Sequence, residues 1–104
     1  MPGKAAKVVI TERQQDVLLT MSRSVTISSQ LKQRARIILL GFEGRLNSEI
    51  EDIVGLGRDA VGRWRRRWQQ EFERLTLVEG LEEPADLRRA IQAVLKIGRR
   101  VVKS

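Results

Sequence analysis

Residues 47–72 read NSEIEDIVGLGRDAVGRWRRRWQQEF, and the fold turns on how this run is wound. It sets two tryptophans among five arginines, directly behind a short acidic stretch and a Gly-Leu-Gly. On a helix advancing by roughly 100 degrees per residue, Val61, Trp64, Trp68 and Phe72 fall within about 80 degrees of one another and form one apolar stripe. Asp59, Arg63, Arg66 and Gln70 take the opposite side with Arg67 next to them, while Arg58 and Arg65 stand nearer the border of the stripe. Tryptophan and arginine are interleaved in sequence and separated in space, so one face can anchor the helix while the other approaches something negative. The tryptophans are expected to be core anchors, because a base-stacking platform needs exposed aromatics. Five arginines against one aspartate leave +4 between Arg58 and Trp68, more than an ordinary solvated face carries.

Ahead of the arginines, Asn47 is expected to cap a short helix with Ile50, Ile53 and Val54 behind it, and Gly55 breaks that pattern after about two turns. A longer helix resumes beyond Gly57 and is expected to run to roughly Arg74. A short helix, a turn of about three or four residues and a longer helix is the arrangement in which a helix-turn-helix holds its second helix in a major groove. In that geometry Arg63 and Asp59 are candidates for reading base edges, Arg66 and Arg67 for bases or phosphates, and Arg58 and Arg65 for backbone phosphates. Asp59 has the alternative role of orienting a neighbouring arginine. Asn47 and Ser48 are candidates for backbone contact, since helix N-terminal amides favour anions, and simple capping is the competing reading for both.

Upstream, Thr11 and Gln14 have the spacing of a capping box, which predicts a first helix to about Ser22 with Val17, Leu18 and Met21 inward. A second begins near Ser28 or Ser29 and places Leu31, Ala35, Ile38, Leu39 and Phe42 at helical steps. Gly41 and Gly44 mark its end, with Gly44 the expected left-handed residue. After TLVEGLEE, a hinge in this reading, Pro84 opens a fifth helix with Leu87, Ile91, Val94 and Leu95 on one face. The expected architecture is all-α, with four to five helices. Residues 1–10 read as a flexible arm, 11–95 as one domain and 96–104 as a basic tail.

Composition narrows function further. At 104 residues the chain can bury one modest core, and a net charge of +7 with a pI near 11.0 favours a polyanionic partner such as nucleic acid or an acidic membrane surface. It has no cysteine and no histidine, which removes thiolate metal sites and the commonest general base together. No apolar run approaches the roughly 20 residues that span a bilayer, and the first ten residues are too short in apolar character for a secretory signal. The chain is therefore expected to be soluble and intracellular, cytoplasmic and nucleoid-associated where its partner is DNA, and to lack a cofactor, metal or small-molecule substrate.

The segment RARIILLGFEGRLNSEIEDIVGLGRDAVGRWRRRWQQEFERLTLVEGLEE resembles the N-terminal DNA-binding region of bacterial insertion-sequence transposases of the mariner superfamily, the insertion sequence 630 group. The matching elements are RARI at 34–37, Asn-x-Glu-Ile at 47–50, the glycine turn at 55–57 and Val-x-x-Trp-Arg-x-Arg at 61–67, and PADLRRAIQAVL at 84–95 is similar to the helix that follows in that group. The resemblance covers roughly residues 11–95. It implies a homeodomain-like helix-turn-helix with a C-terminal packing helix, binding the terminal repeats of a transposon as double-stranded DNA, with a homodimer or a full-length transposase as further partner. Three positions depart from that pattern: Gly57 where a Ser or Thr cap is usual, Glu51 where a small residue packs, and Gly62 in mid-helix, which costs about 1 kcal/mol relative to Ala unless it allows close approach to the DNA backbone. Full-length relatives are expected to continue into a second DNA-binding unit and a nuclease with three metal-binding carboxylates. For a chain without that nuclease the resemblance implies no catalysis. A chain ending at Ser104 with LKIGRRVVKS does not resemble that continuation, which suggests a truncated or frameshifted reading frame or an artificial boundary. The alternatives are a stand-alone helix-turn-helix transcriptional regulator, and a protein-interaction module using the face of Leu18 or of the helix from Leu87 to Leu95. RNA recognition is disfavoured by the lack of a sheet pattern and of spare aromatics.

Overall fold

The computed structural model describes residues 8–81 and 84–96, of which 78–81 and 84–86 are described by backbone alone. Five helices and no strand are found among the described residues: α1 (Glu12–Arg23), α2 (Ser29–Phe42), α3 (Asn47–Val54), α4 (Arg58–Leu81) and α5 (Pro84–Lys96). The all-α expectation holds. α2 touches each of the other four helices, α1 lies along it, and α4 pairs with α5, so α3, the turn at 55–57 and α4 form a helix-turn-helix unit backed by a C-terminal packing helix.

Local chemistry explains the boundaries. Thr11 Oγ1 accepts from the Gln14 amide at 3.1 Å and Gln14 Oε1 accepts from the Thr11 amide at 3.1 Å, completing the predicted capping box. Ser28 caps α2 by accepting from the Leu31 amide. Gly44 at φ 94° and Gly55 at φ 78° supply the left-handed residues after α2 and at the end of α3, as a residue without Cβ can do at little cost. Gly41, in contrast, lies inside the last turn of α2. A Cβ there would fall 2.8 Å from Val8 Cγ2 and 3.2 Å from Arg65 Cζ, so the glycine marks a close approach and not a helix end.

The core gathers Leu18 and Met21 from α1, Ala35, Ile37 and Ile38 from α2, Ile50 and Val54 from α3, Val61, Trp64, Trp68 and Leu75 from α4, and Leu87, Ile91, Val94 and Leu95 from α5. Trp68 is fully buried and Trp64 is 4% exposed, in line with their reading as anchors. Several expectations need correction. Phe42 and Ile53, which share the helical spacing of their buried neighbours, are 42% and 41% exposed. Phe72 is only half-buried. α4 passes its expected end near Arg74 and continues into the expected hinge as far as Leu81. Leu75, fully buried seven residues after Trp68, prolongs the inward stripe, and the Thr76 hydroxyl donates to the Phe72 carbonyl at 2.6 Å, so the segment has helical partners despite its branched residues. The folded part also begins earlier than the expected arm allows. Val8 and Ile10 are buried and the Trp68 indole donates to the Val9 carbonyl at 2.9 Å. The rest of that arm, and the basic tail beyond Lys96, fall outside the described residues.

Candidate nucleic-acid interface

The outer side of α4 begins at Gly57, whose carbonyl accepts the Val61 amide at 3.0 Å as the helix opens. Arg58, Asp59, Arg63 and Arg66 are exposed there, followed by Gln69, Gln70 and Glu73. The first turns of this face are thus basic and the later turns mixed. Arg58 Nε lies 3.8 Å from Glu51 Oε1 of α3, with the arginine side chain well exposed and the glutamate partly so, a loose ion pair between the two helices. An exposed pair of this kind contributes little to stability and yields readily to a competing anion.

Two of the five arginines are not on that face. Arg65, expected near phosphates, is 4% exposed: its Nη1 donates to the Arg45 carbonyl at 2.9 Å and to Asn47 Oδ1 at 3.0 Å. Burial lowers its pKa from the ordinary value, and the neutral acceptors around the guanidinium offset part of the desolvation. The border position on the helical wheel resolved inward because Gly41 leaves room beneath the guanidinium and the connection between α2 and α3 brings the Arg45 carbonyl to it. Arg67, expected to reach bases or phosphates, is half-buried with its Nε donating to the Val94 carbonyl of α5 at 2.9 Å.

The other correction concerns Asn47. Leu46 occupies the N-cap position of α3 and its amide donates to Glu49 Oε1 at 2.9 Å, so Asn47 is the first residue of the helix and not its cap. A leucine side chain has no acceptor, and only the Glu49 half of a capping box exists here. The Asn47 side chain instead ties α3 to α4 through Arg65. Ser48 is exposed beside it.

Sequence reasoning gave Arg34 of the RARI motif no role. Its Nη1 donates to the Leu95 carbonyl at 2.8 Å and lies 3.4 Å from the Lys96 carbonyl, while its Cζ sits 4.4 Å from the centre of the Trp64 ring. With Arg67 on Val94, two arginines from different helices hold the terminal carbonyls of α5, where a cation also suits the helix dipole. Burial lowers the Arg34 pKa and the nearby Arg63 cation lowers it further. Nothing in the local spacing announces this contact, since Arg34 and Leu95 are 61 residues apart.

Of the eight predicted site residues, Arg58, Asp59, Arg63 and Arg66 share the open face of α4, Asn47 and Ser48 stand at its edge on α3, and Arg65 and Arg67 are committed inward. Among the described residues no group of His, Cys, Asp and Glu is arranged to hold a metal ion, and no helix is long and apolar enough to cross a membrane. Comparison of the chain with protein-family models, with curated proteins and with solved structures finds no match.

Proposed function

We propose that this chain binds double-stranded DNA sequence-specifically through the outer face of α4, as a transposase-derived reader of transposon terminal repeats. The observation that carries the reading is the display of Arg58, Asp59, Arg63 and Arg66 over the opening turns of a long helix that is set by a glycine turn behind a short one. A single helix with cations forward and its tryptophans behind has the width and charge to enter a major groove, where arginine pairs with guanine edges and lysine or arginine with phosphates. Arg63 and Asp59 are assigned to base edges, with Arg66 and Arg58 toward the backbone. The nucleoid is the place in a cell where such a chain would reside.

The test is binding of the chain to labelled duplex DNA as a function of salt. Each phosphate contact contributes about 0.9 to the slope of log K against log salt, so the two arginines turned toward the backbone, Arg58 and Arg66, set a slope of about −2 or steeper. A flat salt response would remove nucleic acid from consideration. Selection from a random duplex pool then separates the two DNA readings: inverted terminal repeats among the winners support the transposon assignment, and promoter-like sites support a regulator. The chain is proposed to bind without cutting. Incubation with Mg2+ or Mn2+ and terminal-repeat DNA is expected to leave the strands intact, and cleavage above a protein-free control would refute that part.

A further inference from the structure

Asn47, Gly62 and Arg66 meet where α3 starts against α4. A Cβ built on Gly62 would lie 3.2 Å from Arg66 Nη1 and 3.6 Å from Asn47 Nδ2, so a guanidinium nitrogen and an amide nitrogen close over the same buried stretch of backbone. The orientation of the Asn47 amide follows from chemistry. Arg65 Nη1 lies 3.0 Å from Oδ1 and a guanidinium can only donate, so the oxygen must face Arg65 and the NH2 must face away from it. Arg65 is itself fixed by the Arg45 carbonyl at 2.9 Å, which makes the outward turn of the amide a built feature. The corner offers donors from two side chains, one of them cationic, at the margin of the exposed arginine face.

We propose that this corner clamps one phosphate of the DNA backbone between Asn47 Nδ2 and Arg66, with Gly62 keeping the floor low and Arg65 serving as the positioning residue that turns the amide. The proposal rests on the reading that α4 faces duplex DNA. A phosphate suits the corner better than a base edge because both groups are donors, whereas base edges in the major groove mix donors with acceptors. The start of the first helix of a helix-turn-helix is also the part that lies over the backbone. Arg66 carries the charge, and Asn47 supplies direction.

Two variants test the clamp without unfolding the chain. Asn47→Asp keeps an oxygen for Arg65 and places an acid in the first turn of α3, where the helix dipole favours it, so thermal stability is expected to be kept or raised. It also turns a donor at the phosphate into a negative charge, and loss of a charge-assisted hydrogen bond lowers affinity for labelled duplex roughly tenfold to a hundredfold. Gly62→Ala gains helix propensity and pushes the flexible Arg66 end aside, so its Tm is expected to rise while its affinity falls. In a parallel titration followed by NMR, duplex DNA is expected to shift the Asn47 side-chain NH2 resonances, and inorganic phosphate at the same concentration of phosphate groups is expected to leave them in place. Unchanged affinity in both variants, with the parent binding DNA normally, would overturn the clamp alone. A shift by inorganic phosphate equal to that by DNA would overturn the duplex backbone as its ligand. A parent chain that binds no duplex at all would overturn the DNA reading, and the clamp with it.

Discussion

Arg65 and Arg66 are neighbours on one helix and serve opposite ends. Arg65 is 4% exposed and spends its hydrogen bonds on the Arg45 carbonyl and the Asn47 amide, whereas Arg66 is exposed at the rim of the same corner. The same division separates Arg67, tied to the Val94 carbonyl, from Arg58 and Arg63. The difference teaches that a run of arginines is not a count of contacts available to a partner. A guanidinium on a long apolar stem can be drawn inward wherever carbonyl and amide acceptors replace its water, and there it holds helices together. The inward set fixes the angle between α3, α4 and α5, and the outward set is what that angle presents.

The largest effect should come from the inner flank. Trp68→Ala removes a fully buried indole and its bond to the Val9 carbonyl, and is expected to cost about 3–5 kcal/mol in chemical denaturation. A loss well under 1 kcal/mol would place the anchor of the fold elsewhere. Arg65→Met comes next: the Arg45 carbonyl and Asn47 Oδ1 lose their donor, which should cost about 1–3 kcal/mol of stability while leaving the salt slope of DNA binding as it was. Arg63→Ala sharpens the contrast from the other side. Stability should move by no more than about 0.5 kcal/mol, and discrimination at one base pair should fall by about 1–3 kcal/mol, read by competition between duplexes. If Arg65→Met and Arg63→Ala exchange these signatures, the division within α4 is wrong. The smallest effect is at the start of the helix, where a Cβ on Gly57 meets nothing within 4 Å: Gly57→Ser should stabilise by a few tenths of a kcal/mol, seen as a small rise in Tm.

Much of the scaffold was legible because its causes are local. Thr11 and Gln14 announce their capping box across three residues, and Val61, Trp64 and Trp68 announce their stripe by period alone. Gly44 and Gly55 mark turns that only a positive φ can close. The fate of the arginines was not legible, because what decides it lies far away along the chain. Arg65 finds its acceptors 20 and 18 residues back, Arg67 finds its carbonyl 27 residues on, and Arg34 reaches 61 residues forward. A wheel shows that Arg65 stands on a border but not that a glycine in another helix has left room for it. The length of α4 was hidden for the opposite reason: weak local propensity around Thr76 and Val78 was overridden by the burial of Leu75.

The placement of the two indoles gives the protein a private optical gauge. With Trp64 and Trp68 as its only tryptophans and no tyrosine, all of its near-ultraviolet emission rises from the dry side of α4. Unfolding should redden that glow as water reaches the rings, while a ligand seated on the opposite side should leave its colour almost untouched. One spectrometer trace can therefore tell a collapsed variant from an intact one that has merely lost its grip.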